Sequence, residues 1–537
     1  MFAEVREAIP GRMFGVALVL IAAVFLAQSL YLAHLVVPSQ DESAGLFAGY
    51  LAASGRVGLF DDAMPGHRAP APAYIFGMTQ VLSGRSLLAA RYLGTAFGVA
   101  LVLLAGLLAR RLAGNLAGLI AAALLTAQGA LVGYYSLGDY HSLAPLVLLT
   151  GLLVFLGEGG EPRRVAGLAI LGSLFFVRTH LWPLIPLALA YGLWHARSRR
   201  ERVLMIAVVV GPPLVFFLSD LARLKLLVLV PLLGLPVRAL GYLPFHELDG
   251  RVPLSPGDQL QQLLRLARRY EFLILGTVFA AGWAGWRASR SREPAFWRGD
   301  RRVALVAALF LYLFAWLFVV CRINFKWVGM YFASLAPLLS VVLGHVWSAM
   351  LRDPGLRRRG RIALAAALAV LLALPVYYNR NPLIPTGALR AADPVRAVRV
   401  AGEHLARLVP PDARVFLFGQ VDVFYFSGLP ATHIQQITNY DTLAVNDADN
   451  RATLRSGYYG MTQVERWLGK EDDYAVVSPQ GLTIFAEAFH HHPEVNRPKV
   501  ARIRELLERH FVKIGTVDEY PYYAYDVYRR VSRASDP

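Results

Sequence analysis

Long apolar stretches alternate with short polar segments over residues 1–377, and this pattern changes after that point. An apolar run of about 20 residues is long enough to cross a bilayer as an α-helix, and somewhat shorter runs are compatible with spans. We therefore predict a chain that crosses a membrane an odd number of times, with about eleven spans. They lie at residues 14–37, 86–109, 115–133, 142–157, 165–178, 182–195, 203–219, 271–286, 303–320, 327–349 and 362–377.

The polar segments between these spans differ in their content of basic residues. With the amino end inside, the inner segments hold more Lys and Arg than the outer segments, although they are shorter in total. Cytoplasmic loops are enriched in basic residues, so we predict the amino end inside and the carboxyl end outside. The first span is interpreted as a retained anchor, because it is too long for a signal peptide and has no small-residue cleavage site.

Two segments leave alternatives in this topology. Residues 165–195 form two short spans that could be a hairpin barely reaching the far face. Residues 224–243 are apolar enough for a further span, but that span would place the Arg-rich segment 287–302 outside. We therefore predict an interfacial amphipathic stretch at 224–243.

Residues 378–537 show helix and strand signals in alternation. A helix with Asp393 and Pro394 at its start is predicted, followed by three strands in "ARVFLFG", "DYAVVSP" and "FVKIGTV" and an amphipathic helix in "KVARIRELLERH". The predicted fold class is a polytopic α-helical membrane protein with a C-terminal soluble α/β domain. The predicted domains are residues 1–377, in the membrane, and residues 378–537, outside it.

Composition supports the membrane assignment and excludes several other classes. Hydrophobic residues make up 56% of the chain, charged residues 17%, and the mean hydropathy is +0.45. The net charge of +17 lies entirely in residues 1–377, because basic and acidic residues are equal in number over residues 378–537. Basic charge between apolar segments indicates topology and contact with anionic lipid rather than nucleic-acid binding. The single cysteine, Cys321, excludes an intrachain disulfide and a cysteine metal cluster.

An adjacent acidic pair, Asp41 and Glu42, follows the first span at the start of the predicted outer loop 38–85. His67 and Arg68 lie in the same loop. The pair could serve only to begin a helix near Ser43, since acidic residues favour a first helical turn. The two loop residues could be solvated. The interpretation that we prefer is that the pair belongs to a catalytic site.

Other ionisable residues are predicted at the outer ends of later spans. Asp139 and His141 lie in the next short outer loop, and Arg178, Arg322 and Lys326 lie at the ends of later spans. Asp139 could instead cap the fourth span, and the cations could anchor spans at the headgroups. Ionisable groups at membrane boundaries are costly unless they are paired or solvated, so their recurrence on one face predicts a cavity there.

Acids and cations on the outer face suit transfer of a sugar from a lipid-phosphate donor. Arg or Lys would hold the lipid-linked phosphate and stabilise it as it leaves. A carboxylate would accept the proton of an acceptor hydroxyl as that hydroxyl attacks the sugar carbon. Neither a nucleotide donor nor a cofactor is required by such chemistry. A divalent metal has no support in the sequence, because the adjacent histidines of "HHHP" point in different directions.

The same residues resemble a known family. "DESAGLFAGYLAASGR" resembles the Asp-Glu stretch and following amphipathic helix of the polyprenyl-phosphate-dependent GT-C glycosyltransferases, in the branch of protein O-mannosyltransferases and lipid A aminoarabinose transferases. "SLLAARYLGTAFGV" resembles the Arg-containing second span of that family, and "VRTHLWP" lies where aminoarabinose transferases have a Lys-Gly-Pro element. "HRAPAPAY" stands where relatives carry a Lys-Pro-Pro or His-Pro-Pro element, but the lysine is replaced.

The resemblance implies an inverting glycosyltransferase of a bacterial cytoplasmic membrane, with its C-terminal domain in the periplasm. Asp41 would be the catalytic carboxylate and Glu42 its helper, and Arg178 and Lys326 would bind the donor phosphate. The partners implied are a polyprenyl-phosphate sugar, membrane lipids and a lipid, glycan or protein acceptor. Arg322 and Arg68 are further phosphate-binding candidates, and Asp139, His67 and His141 are further active-site candidates.

Two other functions are compatible with many spans. A multi-pass transporter of a lipid-linked or anionic substrate would favour repeated halves, broken spans and charges at mid-depth. Here the charges lie at span ends, and the two halves show no similarity. A membrane anchor that presents the tail to a partner would leave the polar residues of loop 38–85 without a purpose.

Overall fold

The structure, a computed structural model, describes most of the chain. The described residues are 9–58, 70–157, 159–222, 255–290, 301–323, 328–353, 356–378, 393–438, 442–445, 458–487, 492–520 and 522–531.

Helices occupy nearly all of the described chain before residue 379. They are α1 (Gly11–Leu35), α2 (Gln40–Ala53), α3 (Pro70–Ser83), α4 (Leu87–Ala113), α5 (Asn115–Ala127), α6 (Gly129–Tyr135), α7 (Tyr140–Phe155), α8 (Glu161–Ser173), α9 (Leu184–His195), α10 (Arg199–Ala222), α11 (Pro256–Arg269), α12 (Glu271–Arg290), α13 (Arg301–Ile323), α14 (Val328–Leu351) and α15 (Arg358–Tyr378). Each of the eleven predicted spans therefore overlaps a helix or, at 115–133, two.

Three of these helices are long and apolar enough to cross a membrane: α1, α4 and most of α14. A fourth candidate consists of α5 and α6 together. These two helices meet at Gln128 with a bend of 79°, so the span predicted over 115–133 is broken if it crosses the membrane. The helices α8 and α9 have 13 and 12 residues, which is about 20 Å of helix and short for a bilayer of about 30 Å. Crossing by the remaining helices, and hence the count of eleven, stays a prediction.

The chain forms two compact units. The first contains the described residues of Met1–Ala33, Arg91–Leu229 and Leu254–Leu383, and it is helical. The second contains those of His34–Ala90, Val230–Pro253 and Ile384–Pro537. Thus the loop helices α2 and α3 belong to one compact unit with the C-terminal residues. The domain boundary predicted near residue 377 assigns α2 and α3 to a different domain from the C-terminal residues, because it divides the chain at a single point.

Close helix crossings and buried polar bonds hold the first unit together. A β-carbon at Gly344 of α14 would overlap the carbonyl oxygen of Ala117 on α5, so these two backbones touch. The fully buried Arg91 of α4 donates from Nη1 to the carbonyl oxygen of Ala33 at 2.7 Å, near the end of α1. Tyr135 donates its hydroxyl to the carbonyl oxygen of Ala333 at 2.6 Å. Such bonds satisfy polar groups that would otherwise be costly in an apolar interior.

The C-terminal part of the second unit is an α/β arrangement around a four-stranded sheet. Its strands are β1 (Val415–Phe418), β2 (Tyr474–Val477), β3 (Phe511–Val517) and β4 (Tyr525–Arg530), in the spatial order β1-β2-β4-β3. β1 and β2 are parallel, and β4 is antiparallel to both of its neighbours. The three strands predicted from the sequence are confirmed, whereas β4 was not predicted.

Helices of the same region cover this sheet. They are α16 (Pro394–Leu408), α17 (Val421–Ser427), α18 (Met461–Arg466), α19 (Pro479–Glu487) and α20 (Pro493–His510). Asp393 caps α16 by accepting bonds from the backbone of Val395 and Arg396, which confirms the predicted start of this helix. All four residues of β1 are buried, as is typical of parallel strands covered on both faces.

Candidate functional site

The acidic pair lies in the first turn of α2, in the second unit. The helix begins at Gln40, and the side chain of Ser39 caps it by accepting the backbone N–H of Glu42 at 3.1 Å. The helix start expected near Ser43 is present, with both acids in the first turn, but it lies three residues earlier and Ser39 supplies the cap. Glu42 is fully buried, whereas Asp41 is partly exposed. Since the capping bond is made by Ser39, the pair is not required for that bond.

Most sides of α2 are buried, so the helix is not amphipathic as the family resemblance implied. Nine of its 14 residues are buried, including Glu42 and Ser43. Within the described residues, the hydroxyl oxygen of Ser43 is buried and makes no hydrogen bond. A buried hydroxyl without a partner costs free energy, so Ser43 is an unusual residue beside the acidic pair. Sequence reasoning passed over Ser43 because serine is common at a helix start.

The helix α2 is fixed against α3 by direct backbone contact. A β-carbon at Gly77 of α3 would overlap the carbonyl oxygen of Gly49, and one at Gly49 would overlap the carbonyl oxygen of Ala73. Small residues at a crossing allow two helices to approach until their backbones touch. This contact lies about two turns along α2 from the acidic pair and limits how the helix can shift.

A second group of polar residues lies in the first unit, at the start of α7. Asp139 is buried and caps α7, because its Oδ1 accepts the backbone N–H of His141 at 2.8 Å. The side chains of Asp139 and His141 also approach each other to 3.4 Å. The capping role considered for Asp139 is thus present in the structure. The imidazole of His141 contacts the rings of Tyr134 and Tyr140 edge-on, with centroid distances of 5.1 and 4.5 Å.

Arg178 belongs to the same group. Its guanidinium lies over the ring of Tyr140, 3.3 Å from the centroid, and 5.3 Å from the centroid of Tyr331. Its Nε donates to Nδ1 of His180 at 3.1 Å. The alternative for Arg178 was that it anchors its span at the lipid headgroups. Its contacts with Tyr140, Tyr331 and His180 are contacts within the protein instead. The structure therefore brings three of the predicted residues, Asp139, His141 and Arg178, into one cluster around Tyr140.

His180 is a residue that sequence reasoning missed. Burial lowers its pKa, and the nearby charges of Arg178 and His141 act in the same direction. The imidazole is therefore neutral, in agreement with Nδ1 accepting a bond from Arg178. Its Nε2 is buried and has no hydrogen-bond partner among the described residues. The signal was present in "VRTHLWP", where the histidine follows the arginine by two positions.

Arg269 was also missed. It is the last residue of α11 and donates from Nη1 to the hydroxyl of Tyr134 at 2.7 Å. Because Tyr134 contacts His141, a second guanidinium thus adjoins this group of residues. The sequence analysis assigned no role to Arg269. The amphipathic α11, with its Ser255–Asp258 capping box, was a signal that could have located it.

Several predicted site residues lie wholly or partly outside the described residues. Arg322 lies in the last turn of α13, but its side chain is outside the described residues. Lys326, His67, Arg68 and the apolar segment 224–243 also lie outside them. In the described part of the chain, no group of three or more His, Cys, Asp or Glu residues is arranged to hold a metal ion.

The fold is similar to that of solved structures, whereas comparison of the sequence finds no match. No protein-family model matches the chain, and no curated protein sequence matches it. Among solved structures, ArnT from Cupriavidus metallidurans bound to undecaprenyl phosphate has a TM-score of 0.58 at 15% sequence identity, with 98% of this chain and 100% of that chain covered. The oligosaccharyltransferase of Archaeoglobus fulgidus in the apo form has a TM-score of 0.51 at 11% identity, with 98% of this chain and 75% of that chain covered.

These similarities concern the fold. The chain has the GT-C fold, which is found in polyprenyl-phosphate-dependent glycosyltransferases, and the recognition made from the sequence is confirmed at this level. The fold together with the long apolar helices identifies an integral membrane protein. At such low identity no residue role is transferred from these structures, and function depends on the residues described above.

Proposed function

We propose that the chain is an inverting glycosyltransferase that moves a sugar from a polyprenyl-phosphate donor to an acceptor hydroxyl. The observation that carries this proposal is the acidic pair in the first turn of α2, where Ser39 and not the pair makes the capping bond. The GT-C fold supports the same chemistry. The acceptor is a glycolipid, a polysaccharide or a protein.

Asp41 is the proposed general base. Its carboxylate takes the proton from the acceptor hydroxyl while the hydroxyl oxygen forms a bond to the anomeric carbon. The bond between that carbon and the phosphate oxygen breaks, and the phosphate leaves with the electron pair. Attack on the face opposite the phosphate inverts the anomeric configuration. Partial exposure of Asp41 suits contact with a substrate, whereas the buried Glu42 is assigned a helping role.

Arg178 is proposed to bind the donor phosphate. Its guanidinium is held by Tyr140 and His180, so less freedom is lost when it binds an anion. Lys326, Arg322 and Arg68 are proposed for the same task from the sequence alone. Asp139, His141 and His67 remain candidates for orienting substrate, and the first two adjoin Arg178 through Tyr140.

A transporter is the alternative function, and one observation favours it. The helices α5 and α6 form a broken apolar pair bent by 79°, and discontinuous helices are common in transporters. Transport leaves its substrate chemically unchanged, so the identity of the product separates the two functions.

The outer-face location depends on the predicted topology. We propose that the protein lies in a bacterial cytoplasmic membrane with Arg290 inside and Tyr525 outside. Ser291→Cys in a Cys321→Ser background should resist an impermeant thiol reagent in intact cells. Labelling of this site in intact cells would overturn the orientation. A cysteine in the C-terminal region, such as Val531→Cys, should be labelled.

The proposal is tested by ligand-dependent melting of the purified protein. A ligand that binds only the folded state raises stability by about 2.7 kcal/mol at a hundred times its dissociation constant. We expect polyprenyl-phosphate sugars and polyprenyl phosphate to raise the melting temperature, and uncharged polyprenol to leave it unchanged. Comparing donors that carry different sugars would identify the sugar. Equal effects of polyprenol and polyprenyl phosphate would contradict the proposal.

A further inference from the structure

The C-terminal part of the second unit contacts the two helices that follow the first span. The contacts come from α17, which directly follows strand β1, and they reach both α2 and α3. We name the residues involved the aromatic clamp. Its members are Phe47 and Tyr50 of α2, Gln80 of α3, Arg85 after α3, and Phe424 and Tyr425 of α17.

Aromatic rings form the part of the clamp that touches α2. Phe47 contacts Phe424 and Tyr425, with centroid distances of 6.2 and 5.0 Å. Tyr50, almost one turn further along α2, contacts the edge of Tyr425 at 6.3 Å. Aromatic pairs in this range contribute attraction beyond the area that they bury. Two successive points on the same face of α2 are therefore held by one residue of α17.

Arg85 connects the end of α3 to α17. It donates from Nη1 to the carbonyl oxygen of Tyr425 at 3.0 Å, and its guanidinium lies over Tyr50, 4.4 Å from the ring centroid. Arg85 has φ of 65°, directly after Gly84 with φ of 68°. A left-handed conformation is unfavourable for a residue with a β-carbon and persists only when its surroundings hold it. The contacts with Tyr425 and Tyr50 are such surroundings.

A side-chain bond completes the clamp. Tyr425 donates its hydroxyl to Oε1 of Gln80 at 3.1 Å, and the fully buried Gln80 donates from Nε2 to the carbonyl oxygen of Ser86 at 3.0 Å. Burial raises the pKa of the Tyr425 hydroxyl, so it keeps its proton and remains a donor. Both polar ends of Gln80 are therefore occupied, one by α17 and one by the turn that carries Arg85.

The start of α17 is itself anchored in the sheet region. Asp422 is buried, and its Oδ1 accepts bonds from the backbone of Val423 and from the hydroxyl of Tyr525 on β4. The same hydroxyl bonds the carbonyl oxygen of Gln420 at 2.9 Å. The clamp therefore connects the α2–α3 pair to the sheet rather than to a loose loop.

We propose that Tyr425, Arg85 and Gln80 are positioning residues, through which the C-terminal region sets the orientation of α2 and hence of Asp41. This inference rests on the catalytic role proposed for Asp41. Phe47 lies six residues after Asp41, about 9 Å along a rigid helix. A tilt at the clamp would therefore displace the first turn. Displacement of a catalytic group by about 1 Å can lower a rate by about a hundredfold.

The test uses the purified full chain and three clamp variants. Tyr425→Phe removes only the hydroxyl, Arg85→Lys shortens the donor, and Tyr425→Ala removes the ring. We expect turnover to fall about three- to tenfold for the first two, in line with loss of one hydrogen bond, and further for the third. Donor affinity should stay unchanged. Arg530→Lys is the matched control, because Arg530 bonds backbone carbonyls of Trp467 and Asp472 in the same region. It should lower stability but not turnover.

A distance measurement separates orientation from stability. Spin labels at Leu82→Cys, an exposed position of α3, and at Val531→Cys, an exposed position after β4, report the geometry within the second unit in a Cys321→Ser background. We expect one narrow distance distribution in the parent and in the Arg530→Lys variant, and a shifted or broader one in the Tyr425→Ala variant. Unchanged distances or wild-type turnover in the clamp variants would overturn the inference.

Asp41→Asn distinguishes failure of this inference from failure of the proposed function. If Asp41→Asn abolishes transfer but the clamp variants retain full turnover, only the positioning role is wrong. If Asp41→Asn retains transfer, the proposed catalytic role is wrong, and the positioning of Asp41 is overturned with it.

Discussion

The acidic pair and the Arg178 group are held in place by different means. The helix that carries Asp41 is fixed by backbone contact with α3 and by the aromatic clamp, whose bond from Tyr425 to Gln80 joins residues 345 positions apart. The guanidinium of Arg178 contacts the side chains of Tyr140 and His180. The difference indicates that the acid depends on correct folding of the C-terminal region. The cation depends on rings of the first unit, those of Tyr140, His180 and Tyr331.

The largest effect is expected from changing the acid itself. Asp41→Asn keeps the shape of the side chain but removes the basic lone pair, so turnover should fall by about a hundredfold or more. Donor binding should survive, because a carboxylate near a phosphate repels it. The measurement is sugar transfer by the purified variant, together with a donor-binding assay.

Ser39→Ala is the control for this change. It removes the observed helix cap and should lower stability by about 0.5–2 kcal/mol, with little loss of turnover per folded molecule. If the two variants behaved alike, Asp41 would be a residue that only helps the helix to begin.

The next effect concerns the cation. Arg178→Ala should weaken donor binding about ten- to a hundredfold, because a charge-assisted bond to the phosphate contributes about 1.5–3 kcal/mol. Arg178→Lys should be milder, although lysine cannot reproduce the planar contact with Tyr140. Titration with polyprenyl phosphate measures the loss. Arg200→Ala, at a side chain that is 84% exposed, should leave affinity unchanged. Equal affinities for the Arg178 and Arg200 variants would remove Arg178 from the site.

A smaller effect tests the fixed position of α2. Gly49→Ala places a β-carbon against the backbone of α3 and should destabilise the protein by about 1–3 kcal/mol. Gly45→Ala on the same helix meets open space and should stabilise it by up to about 1 kcal/mol, because alanine favours helix. Thermal unfolding of both variants gives the comparison. A neutral Gly49→Ala would show that the two backbones are not in contact.

The smallest effect is a pH dependence in the C-terminal region. Burial raises the pKa of Asp422, so the folded state binds its proton more tightly than the unfolded state, where the pKa is about 3.9. The contribution of Asp422 to the free energy of unfolding is fully present below the pKa of the unfolded state. It is lost as the pH rises through the raised pKa of the folded state. Asp422→Asn should therefore gain stability relative to the parent at neutral pH. If the melting temperatures of the parent and the Asp422→Asn variant differed by the same amount at every pH, the raised pKa of Asp422 would be contradicted.

Much of the fold could be predicted because apolar runs and turn signals are local properties of the sequence. The predicted spans and three strands coincide with elements of the structure. Strand β4 was missed, although Tyr525 and Val527 are buried and alternate with more exposed residues. The charged residues of β4 interrupt the alternation of apolar and polar residues, so its period of two was not recognised. The bend at Gln128 was missed because the apolar run continues through it.

The site was predicted less completely, for a physical reason. Ionisable residues at span ends are visible in the sequence, and this signal selected Asp41, Glu42, Asp139, His141 and Arg178 as candidates. Contacts between distant segments are not visible, so the sequence did not reveal that Tyr425 touches α2 or that Arg269 bonds Tyr134.

The most direct test of the account follows the donor itself. Purified wild-type protein in liposomes would be given a polyprenyl-phosphate sugar labelled in both the sugar and the lipid, together with an acceptor extract. We expect that polyprenyl phosphate is released, that the sugar is recovered on an acceptor with inverted anomeric configuration, and that Asp41→Asn liposomes release almost none. Recovery of the donor chemically intact, but moved across the membrane, would contradict the account and favour transport.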